Sequence, residues 1–269
     1  MTVAASAHSK RSRCIFCGQD SSASTSVEHI IPESLGNTDH ILPRGVVCDP
    51  CNNYFARKVE GPLLSSVHFK NLRARQLVPN KGGAVPPMIG VYPAAGIGVQ
   101  LLQSESDGLS VAPLLERENR HFVETMQRRP SGRLLFAIES LVDQRLLARF
   151  LGKVGLEVIA QRALEAGLGL QEIVDHRQLD LLRGFVRRGS GPSDWPVHQR
   201  RIYDEEETFK EPNGYSFQVL HEFQMFYVSS ELYVVVCIFG TEFAMNMGGP
   251  SVESYKAWLA SNEGRSPLY

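Results

Sequence analysis

The chain has 269 residues, of which 43% are hydrophobic and 21% are charged, a composition that is ordinary for a folded globular protein. The longest purely apolar run, Val234 to Phe239, is far too short to cross a bilayer, and the N-terminal segment MTVAASAHSKRSR has no apolar region of the kind found in signal peptides. We therefore expect neither a membrane span nor secretion, and the expected compartment is the cytoplasm.

Charge is distributed unevenly along the chain, although the formal net charge is only −1. Residues 1–85 hold ten Lys and Arg against six Asp and Glu, a net of +4, whereas the remainder holds eighteen against twenty-three, a net of −5. Affinity for nucleic acid comes largely from contacts with phosphates, so a phosphate-binding surface is expected in the first part.

Two pairs of cysteines dominate the N-terminal part. Residues 1–13, predicted to be a flexible basic arm, precede Cys14 and Cys17, and Cys48 and Cys51 follow after 30 intervening residues. In a reducing compartment this spacing predicts a structural, tetrahedral zinc site rather than disulfides. Two redox-active motifs are the alternative, but the strand and helix of a thioredoxin-like context are lacking.

A carboxylate, an imidazole and an amide accompany these cysteines. Glu28 and His29 lie between the two pairs, in a stretch that can form one strand of a hairpin, and Asn52 follows the last cysteine at the start of a short helix. If zinc holds hairpin and helix together, Glu28, His29 and Asn52 converge on one cleft. Four thiolates leave zinc no open position, so a second, hard cation such as magnesium would be held by the oxygens of Glu28 and Asn52.

Two helices and a boundary are predicted next. The short helix Asn52–Glu60 is expected to end at Gly61-Pro62. A second helix over residues 63–76 carries Lys70, Arg73 and Arg75, which could follow a phosphate backbone or form a solvated face. The Pro- and Gly-rich segment Val78–Pro87 is the best candidate for a domain boundary.

Periodicity predicts a mixture of helices and strands in the rest of the chain. The predicted elements are strands at about 88–103 and 109–115, helices over Val142–Ala166 and about 171–188, a strand Tyr215–Tyr227 with Leu232–Phe239 as its hairpin partner, and a helix near Ser251–Ser261. The fold class is therefore α+β, with a small N-terminal domain over residues 14–80 and a larger α+β domain of unknown role over residues 88–269.

Residues 14–60 resemble an HNH endonuclease of the ββα-metal class, in the subset with a four-cysteine zinc. The matching motifs are CIFC at 14–17, EHIIPESLG at 28–36 and VCDPCNN at 47–53. The resemblance implies a zinc-stapled ββα-metal fold in which His29 is the general base and Glu28 and Asn52 hold a catalytic Mg²⁺ or Mn²⁺. It also implies products with a 5′-phosphate and a 3′-hydroxyl.

Two positions depart from the pattern of that family. Glu28 stands where Asp is more common, and Pro43 stands where the family usually has an Asn that braces the loop orienting the His. Asn37 is the nearest substitute for that Asn, and His40 or Arg44 could also serve.

Other interpretations of single residues stay open at this point. The stretch around His29 could be a loop without chemistry, and His29 could be a competing zinc ligand. Asn52 could be a helix N-cap. Glu60 could pair with the metal site or end the helix, and we favour the second. His40 and His68 are expected on the surface, and Cys237 is expected to be a buried small hydrophobe.

The sequence therefore predicts a metal-dependent HNH-type endonuclease that hydrolyses phosphodiester bonds, in double-stranded DNA above other substrates. Bacterial defence is one setting for such an effector, and a homodimer is one possible assembly. The alternative is a zinc-dependent nucleic-acid-binding module with an inactive nuclease site. Because it is acidic, the C-terminal domain is expected to position, dimerise or regulate the nuclease rather than bind DNA.

Overall fold

The computed structural model describes residues 12–80, 82–104, 108–129, 132–137 and 142–269. The predicted arm of residues 1–13 lies outside the described residues except for its last two. One of these, Arg13, pairs with Asp175 at 2.8 Å and forms a β-bridge with Asp20.

The elements form the mixed α+β fold that the sequence predicts. The helices are α1 (Asp49–Phe55), α2 (Gly61–Leu64), α3 (Val67–Arg75), α4 (Asn119–Arg128), α5 (Gln144–Glu165), α6 (Gln171–Asp175), α7 (Asp180–Arg188) and α8 (Glu253–Ser261). The strands are β1 (Glu28–His29), β2 (Ile41–Leu42), β3 (Met88–Tyr92), β4 (Ile97–Ser104), β5 (Gly108–Pro113), β6 (Leu135–Phe136), β7 (His198–Arg201), β8 (Thr208–Lys210), β9 (Ser216–Gln218), β10 (His221–Val228), β11 (Glu231–Ile238) and β12 (Thr241–Asn246).

The N-terminal part follows the order hairpin, then helix. Strands β1 and β2 pair antiparallel, with Glu28 opposite Leu42 and His29 opposite Ile41, and α1 comes next along the chain. The predicted hairpin strand is therefore confirmed. Helix α1 begins three residues earlier than predicted because Pro50 is compatible with its first turn, where an N–H has no helical partner.

The prediction that Gly61-Pro62 ends this helix is wrong. The chain continues from α1 through a π-helical turn, Ala56–Glu60, directly into α2, where the Gly61 N–H reaches the Ala56 carbonyl. Pro62 is tolerated because it lies in the first turn of α2, where its missing N–H is not needed. The wide π-helical turn before α2 also shifts the register of the backbone hydrogen bonds. The helical path ends only at Ser65 and Ser66, and α3 begins at Val67, later than the predicted residue 63.

The larger sheet has four antiparallel strands in the order β10-β11-β12-β7. The predicted hairpin is confirmed, with Tyr227 opposite Leu232, but the predicted strand Tyr215–Tyr227 divides into β9 and β10. The prediction missed β12 and β7, which continue the sheet. Long helix α5 packs on this sheet, and at Gly155 it lies so close to the residue after β12 that an added Cβ would be 2.5 Å from Met247.

A second four-stranded sheet, in the order β5-β4-β3-β6, is attached to α3. The Asn71 amide of α3 donates to the carbonyls of Ile89 (2.9 Å) and Ala137 (3.0 Å), and its oxygen accepts from the Ile89 N–H. Because a buried amide makes three bonds to the sheet backbone, α3 is held in one orientation.

One hydrophobic core contains residues from both predicted domains. It includes Phe55 and Leu63 from the N-terminal part together with Leu151 and Val236 from α5 and β11. The division into a nuclease domain and an accessory domain stays a prediction. None of the described helices combines the length and the apolar composition that a membrane span requires.

Candidate active site beside a four-thiol cluster

The four predicted zinc ligands lie together. The sulfur atoms of Cys14, Cys17, Cys48 and Cys51 are all within 4.8 Å of one another, and among the described residues this is the group suited to hold a metal ion. The first pair sits in a tight turn in which the Gly18 N–H reaches the Cys14 carbonyl at 2.8 Å. His29 is not part of the cluster, which argues against the interpretation of His29 as a competing zinc ligand.

The chemistry of these thiols suits a metal. A hydrogen bond from the Cys51 thiol lowers the pKa of Cys14 to about 5, whereas burial raises the pKa of Cys48 to about 11 and the bond to Cys14 raises the pKa of Cys51, so the group favours a thiolate, the form of cysteine that binds metal, at Cys14. Arg187 of α7 donates from Nε to the Cys51 sulfur at 3.1 Å. A positive group outside the ligand shell thus supports the negative charge of the thiolates.

Helix α1 fixes the strand that carries Glu28 and His29. The Asp49 carboxylate accepts the backbone N–H of Ser26 at 2.9 Å, and Asn52 donates from Nδ2 to the Val27 carbonyl at 3.1 Å. Because Nδ2 is used in this way, Oδ1 is the atom of Asn52 that is available to a cation. The N-cap of α1 is Cys48, so the interpretation of Asn52 as a helix N-cap is wrong.

The loop between β1 and β2 is braced by Asn37. This side chain is fully buried, donates to the carbonyls of Ile31 (2.7 Å) and His40 (3.1 Å), and accepts the His40 N–H at 2.9 Å. Arg44 is exposed, and the His40 ring packs against Phe223. Asn37 is therefore the one of these three residues whose side chain bonds to the backbone of the loop in the described part of the chain.

The three predicted site residues line one cleft of about 480 Å³. Glu28 and His29 come from β1, Asn52 from α1, and Glu60 and Arg73 from the π turn and α3. Glu28 is buried, and its Oε2 reaches no hydrogen-bond partner among the described residues. An orphaned carboxylate oxygen at a cleft that also contains an amide oxygen is a suitable start for a hard-cation site.

Lys153 of α5 is the residue at this site that the sequence analysis missed. It is fully buried, and its Nζ lies 2.7 Å from Glu28, 2.8 Å from Glu60 and 3.0 Å from Glu157. The same ammonium donates to the His29 carbonyl at 3.2 Å. The Lys153 ammonium, which comes from the C-terminal part, thus binds both the Glu28 carboxylate and the backbone carbonyl of His29.

Burial and charge oppose each other in this group, which we term the lysine cluster (Glu28, Glu60, Lys153 and Glu157). Burial raises the pKa of Glu28 and of Glu157, and the lysine counteracts this only in part. Burial alone would lower the pKa of Lys153, but the surrounding carboxylates raise it well above its usual value. The ammonium therefore stays charged, and the cluster favours binding a proton at a carboxyl group.

The basic residues of α3 differ from one another. Arg75 is paired with Glu205, with a distance of 2.9 Å between Nη2 and Oε2. Arg73 is 7% exposed and lies at the cleft, and burial lowers its pKa. The interpretation of these residues as one solvated helix face is therefore wrong, because α3 packs between the cleft and the second sheet.

Three further expectations have a clear outcome. Glu60 does not end a helix, because the helical path continues past it and its carboxylate pairs with Lys153. His68 is buried rather than on the surface, with its ring 5.0 Å from that of Phe69. Cys237 is fully buried, as predicted.

Lys153 and Arg187 had no local motif that could identify them. Lys153 does stand out as a charged residue on the apolar face of the predicted helix Val142–Ala166, between the small residues Gly152 and Gly155. A buried lysine at such a position requires an acidic partner, and this is the signal that could have found it.

Residues 14–68 match the model of the HNH endonuclease family, over about a fifth of the chain. This match confirms the resemblance that the cysteine pairs and the Glu-His motif indicated. Comparisons with curated proteins and with solved structures found no match.

Proposed function

We propose that this protein is a metal-dependent endonuclease that hydrolyses phosphodiester bonds, with double-stranded DNA as its substrate. The observation that supports the proposal is the convergence of Glu28, His29 and Asn52 on one cleft, beside a four-thiol cluster and within a segment that matches the HNH endonuclease family. A general base next to two oxygen ligands for a cation is the arrangement that phosphodiester hydrolysis requires.

Two metals have different roles in this proposal. The four thiols fit zinc, and because they leave no open position, zinc would be structural. Glu28 through Oε2 and Asn52 through Oδ1 would hold Mg²⁺ or Mn²⁺ together with water. When bound, this cation would stabilise negative charge on the phosphate and on the leaving oxygen.

His29 supplies the base in the proposed reaction. As a neutral imidazole it takes a proton from a water molecule, whose oxygen then forms a bond to phosphorus while the bond from phosphorus to the 3′-oxygen breaks. The 3′-oxygen takes a proton from solvent, which leaves a 3′-hydroxyl and a 5′-phosphate. Lys153, through the His29 carbonyl, and Asn37, through the Ile31 carbonyl, hold the strand in place during this step.

The C-terminal part would position the nuclease rather than bind DNA. It supplies Lys153 to Glu28 and Glu60 and Arg187 to the thiol cluster, and its net charge of −5 disfavours phosphate contacts. A role as a ligand-controlled effector of bacterial defence stays a prediction. Cleavage that requires a phage-derived or nucleotide ligand would support it.

A plasmid-nicking assay with the zinc-loaded protein tests the proposal. Supercoiled plasmid should be cut with Mg²⁺ or Mn²⁺ and not with EDTA, under conditions in which zinc is retained. His29→Ala should reduce the cleavage rate about 10²- to 10⁴-fold without loss of zinc. His176→Ala, at an exposed histidine away from the cleft, is the matched control and should cleave normally. Full activity of His29→Ala would contradict the proposal.

One observation favours the alternative, a zinc-dependent nucleic-acid-binding module with an inactive site. The Glu28 Oε1 is already bound to Lys153, so this carboxylate has only one oxygen left for a cation. In that case the wild-type protein would bind a DNA duplex with salt-dependent affinity but would not cut it with any divalent cation.

A further inference from the structure

We propose that Arg73 binds the scissile phosphate in the cleft, an inference that rests on the proposed nuclease function. Arg73 lies on α3, outside the segment that matches the HNH endonuclease family, so the family match assigns it no role.

The first observation is that no described residue compensates the buried guanidinium of Arg73. Its side chain is 7% exposed, and neither Nε nor Nη2 reaches an acceptor among the residues that the structure describes. Burying a charge without a partner is costly, and proteins normally avoid it. Arg75, two residues along the same helix, shows the usual solution, because its charge is paired with Glu205.

The second observation is the location of Arg73. It lines the same cleft as Glu28, His29 and Asn52. Of the three carboxylates that line this cleft, Glu28 and Glu60 are each paired with Lys153 instead, and no ion pair within the described residues joins the third, Glu33, to Arg73. A guanidinium with free N–H groups matches the paired oxygens of a phosphate, and such bidentate bonds are the strong ones. The missing acceptor is therefore an anion that enters from solvent.

The third observation is that Arg73 is held in place before any substrate binds. The Val78 N–H bonds to the Arg73 carbonyl at 2.9 Å, and Asn71 ties α3 to the backbone of β3. A donor on a backbone that is already fixed needs little reorganisation when it bonds to developing negative charge, and this lowers the barrier. Arg73 would thus contribute to the rate more than to affinity.

The first test measures thermal unfolding of the full-length, zinc-loaded protein with and without inorganic phosphate. Phosphate should raise the unfolding midpoint of the wild type, because an anion that binds only the folded state stabilises it. Arg73→Gln should unfold at the same or a higher temperature than the wild type without phosphate, since it removes an unpaired buried charge. It should lose the phosphate response, and Arg73→Lys should keep part of it.

Lys70→Gln is the matched control, because it removes one positive charge from the same helix at a residue that does not line the cleft. This variant should keep the full phosphate response. If phosphate does not shift the wild type, or if Arg73→Gln destabilises the protein and still responds to phosphate, then Arg73 is structural and the inference is wrong.

The second test measures cleavage of a short DNA duplex at saturating protein. Arg73→Gln should slow cleavage about 10²- to 10³-fold, while Lys70→Gln should stay near the wild-type rate. Unchanged cleavage by Arg73→Gln overturns the inference. If the wild type itself does not cleave, the proposed nuclease function fails, and the phosphate response of the first test then decides separately whether Arg73 holds a phosphate.

Discussion

The four-thiol cluster and the lysine cluster lie next to each other and are built in opposite ways. The thiols come from two short motifs within one small segment, and their spacing alone predicts a metal site. The lysine cluster joins Glu28 and Glu60 to two residues of α5, and its lysine, Lys153, lies 124 positions after His29 in the chain. A soft metal cation suits the first group, whereas a side-chain ammonium compensates the second. Two neighbouring charge centres in one protein can thus differ completely in how local their sequence signal is.

The largest expected effect is on the thiol cluster. Cys48→Ser should remove zinc and unfold the segment around it, because structural zinc contributes on the order of 10 kcal/mol to small folds. Zinc content measured by elemental analysis and thermal unfolding would both fall. Cys237→Ala is the control, because Cys237 lies outside the cluster and its variant should keep one zinc per chain. Retention of zinc by Cys48→Ser would show that the four thiols do not act as one site.

The next effect concerns the lysine cluster. Lys153→Met leaves the buried carboxylates of Glu28 and Glu157 and the partly buried one of Glu60 without a counter-charge and should cost about 3 to 5 kcal/mol of unfolding free energy near pH 8. The loss should be smaller near pH 5. Without the lysine the folded carboxyls have pKa values raised above their unfolded values, so stability is retained at low pH and lost as pH rises.

Urea unfolding at the two pH values measures this difference. Lys256→Met is the control, since Lys256 forms an exposed pair with Glu253 on α8 and its loss should cost at most about 1 kcal/mol. Equal losses for Lys153→Met at both pH values would mean that the carboxylates do not depend on this lysine.

A smaller effect is expected where the C-terminal part supports the thiols. Arg187→Gln should weaken zinc binding about 10- to 100-fold, because groups that bond to metal ligands tune metal affinity by that amount. Competition with a chelator measures the affinity. Arg188→Gln removes the same charge from the next, exposed residue and should leave zinc affinity unchanged. An equal loss of zinc affinity in both variants would mean that net charge, and not the bond from Arg187 to Cys51, supports zinc binding.

The smallest effect is expected for Glu157→Gln, which imitates the protonated carboxyl group. Burial raises the pKa of Glu157, so the folded protein binds this proton more tightly than the unfolded chain does. Its contribution to stability is complete below the unfolded pKa and declines as pH rises toward the folded pKa. The variant should be within about 1 kcal/mol of the wild type at pH 5 and should lose less stability than the wild type toward pH 9. If the stability of Glu157→Gln fell more steeply with rising pH than that of the wild type, Glu157 would not be the group that holds the proton.

Local signals in the sequence were sufficient for much of the fold. The hairpin strand at Glu28 and His29, the helix Val142–Ala166 and the hairpin of Tyr227 with Leu232 could be predicted because each rests on periodicity or on adjacent motifs. The end of the first helix could not be predicted in this way. Gly61-Pro62 normally ends a helix, and only the π turn before it and the packing around Glu60 allow the path to continue.

By itself the sequence determined the cysteine cluster, the family of residues 14–68 and the residues Glu28, His29 and Asn52 that share a cleft. Their chemistry is carried by residue types at short, characteristic spacings. The tertiary structure alone decided that Asn37 braces the loop and that Lys153 pairs with Glu28 and Glu60. It also decided that Arg73 lies in the cleft with no acceptor for Nε and Nη2 among the described residues. Burial and ion pairing are properties of segments that are distant in the chain, and no local pattern encodes which buried charge will meet which partner.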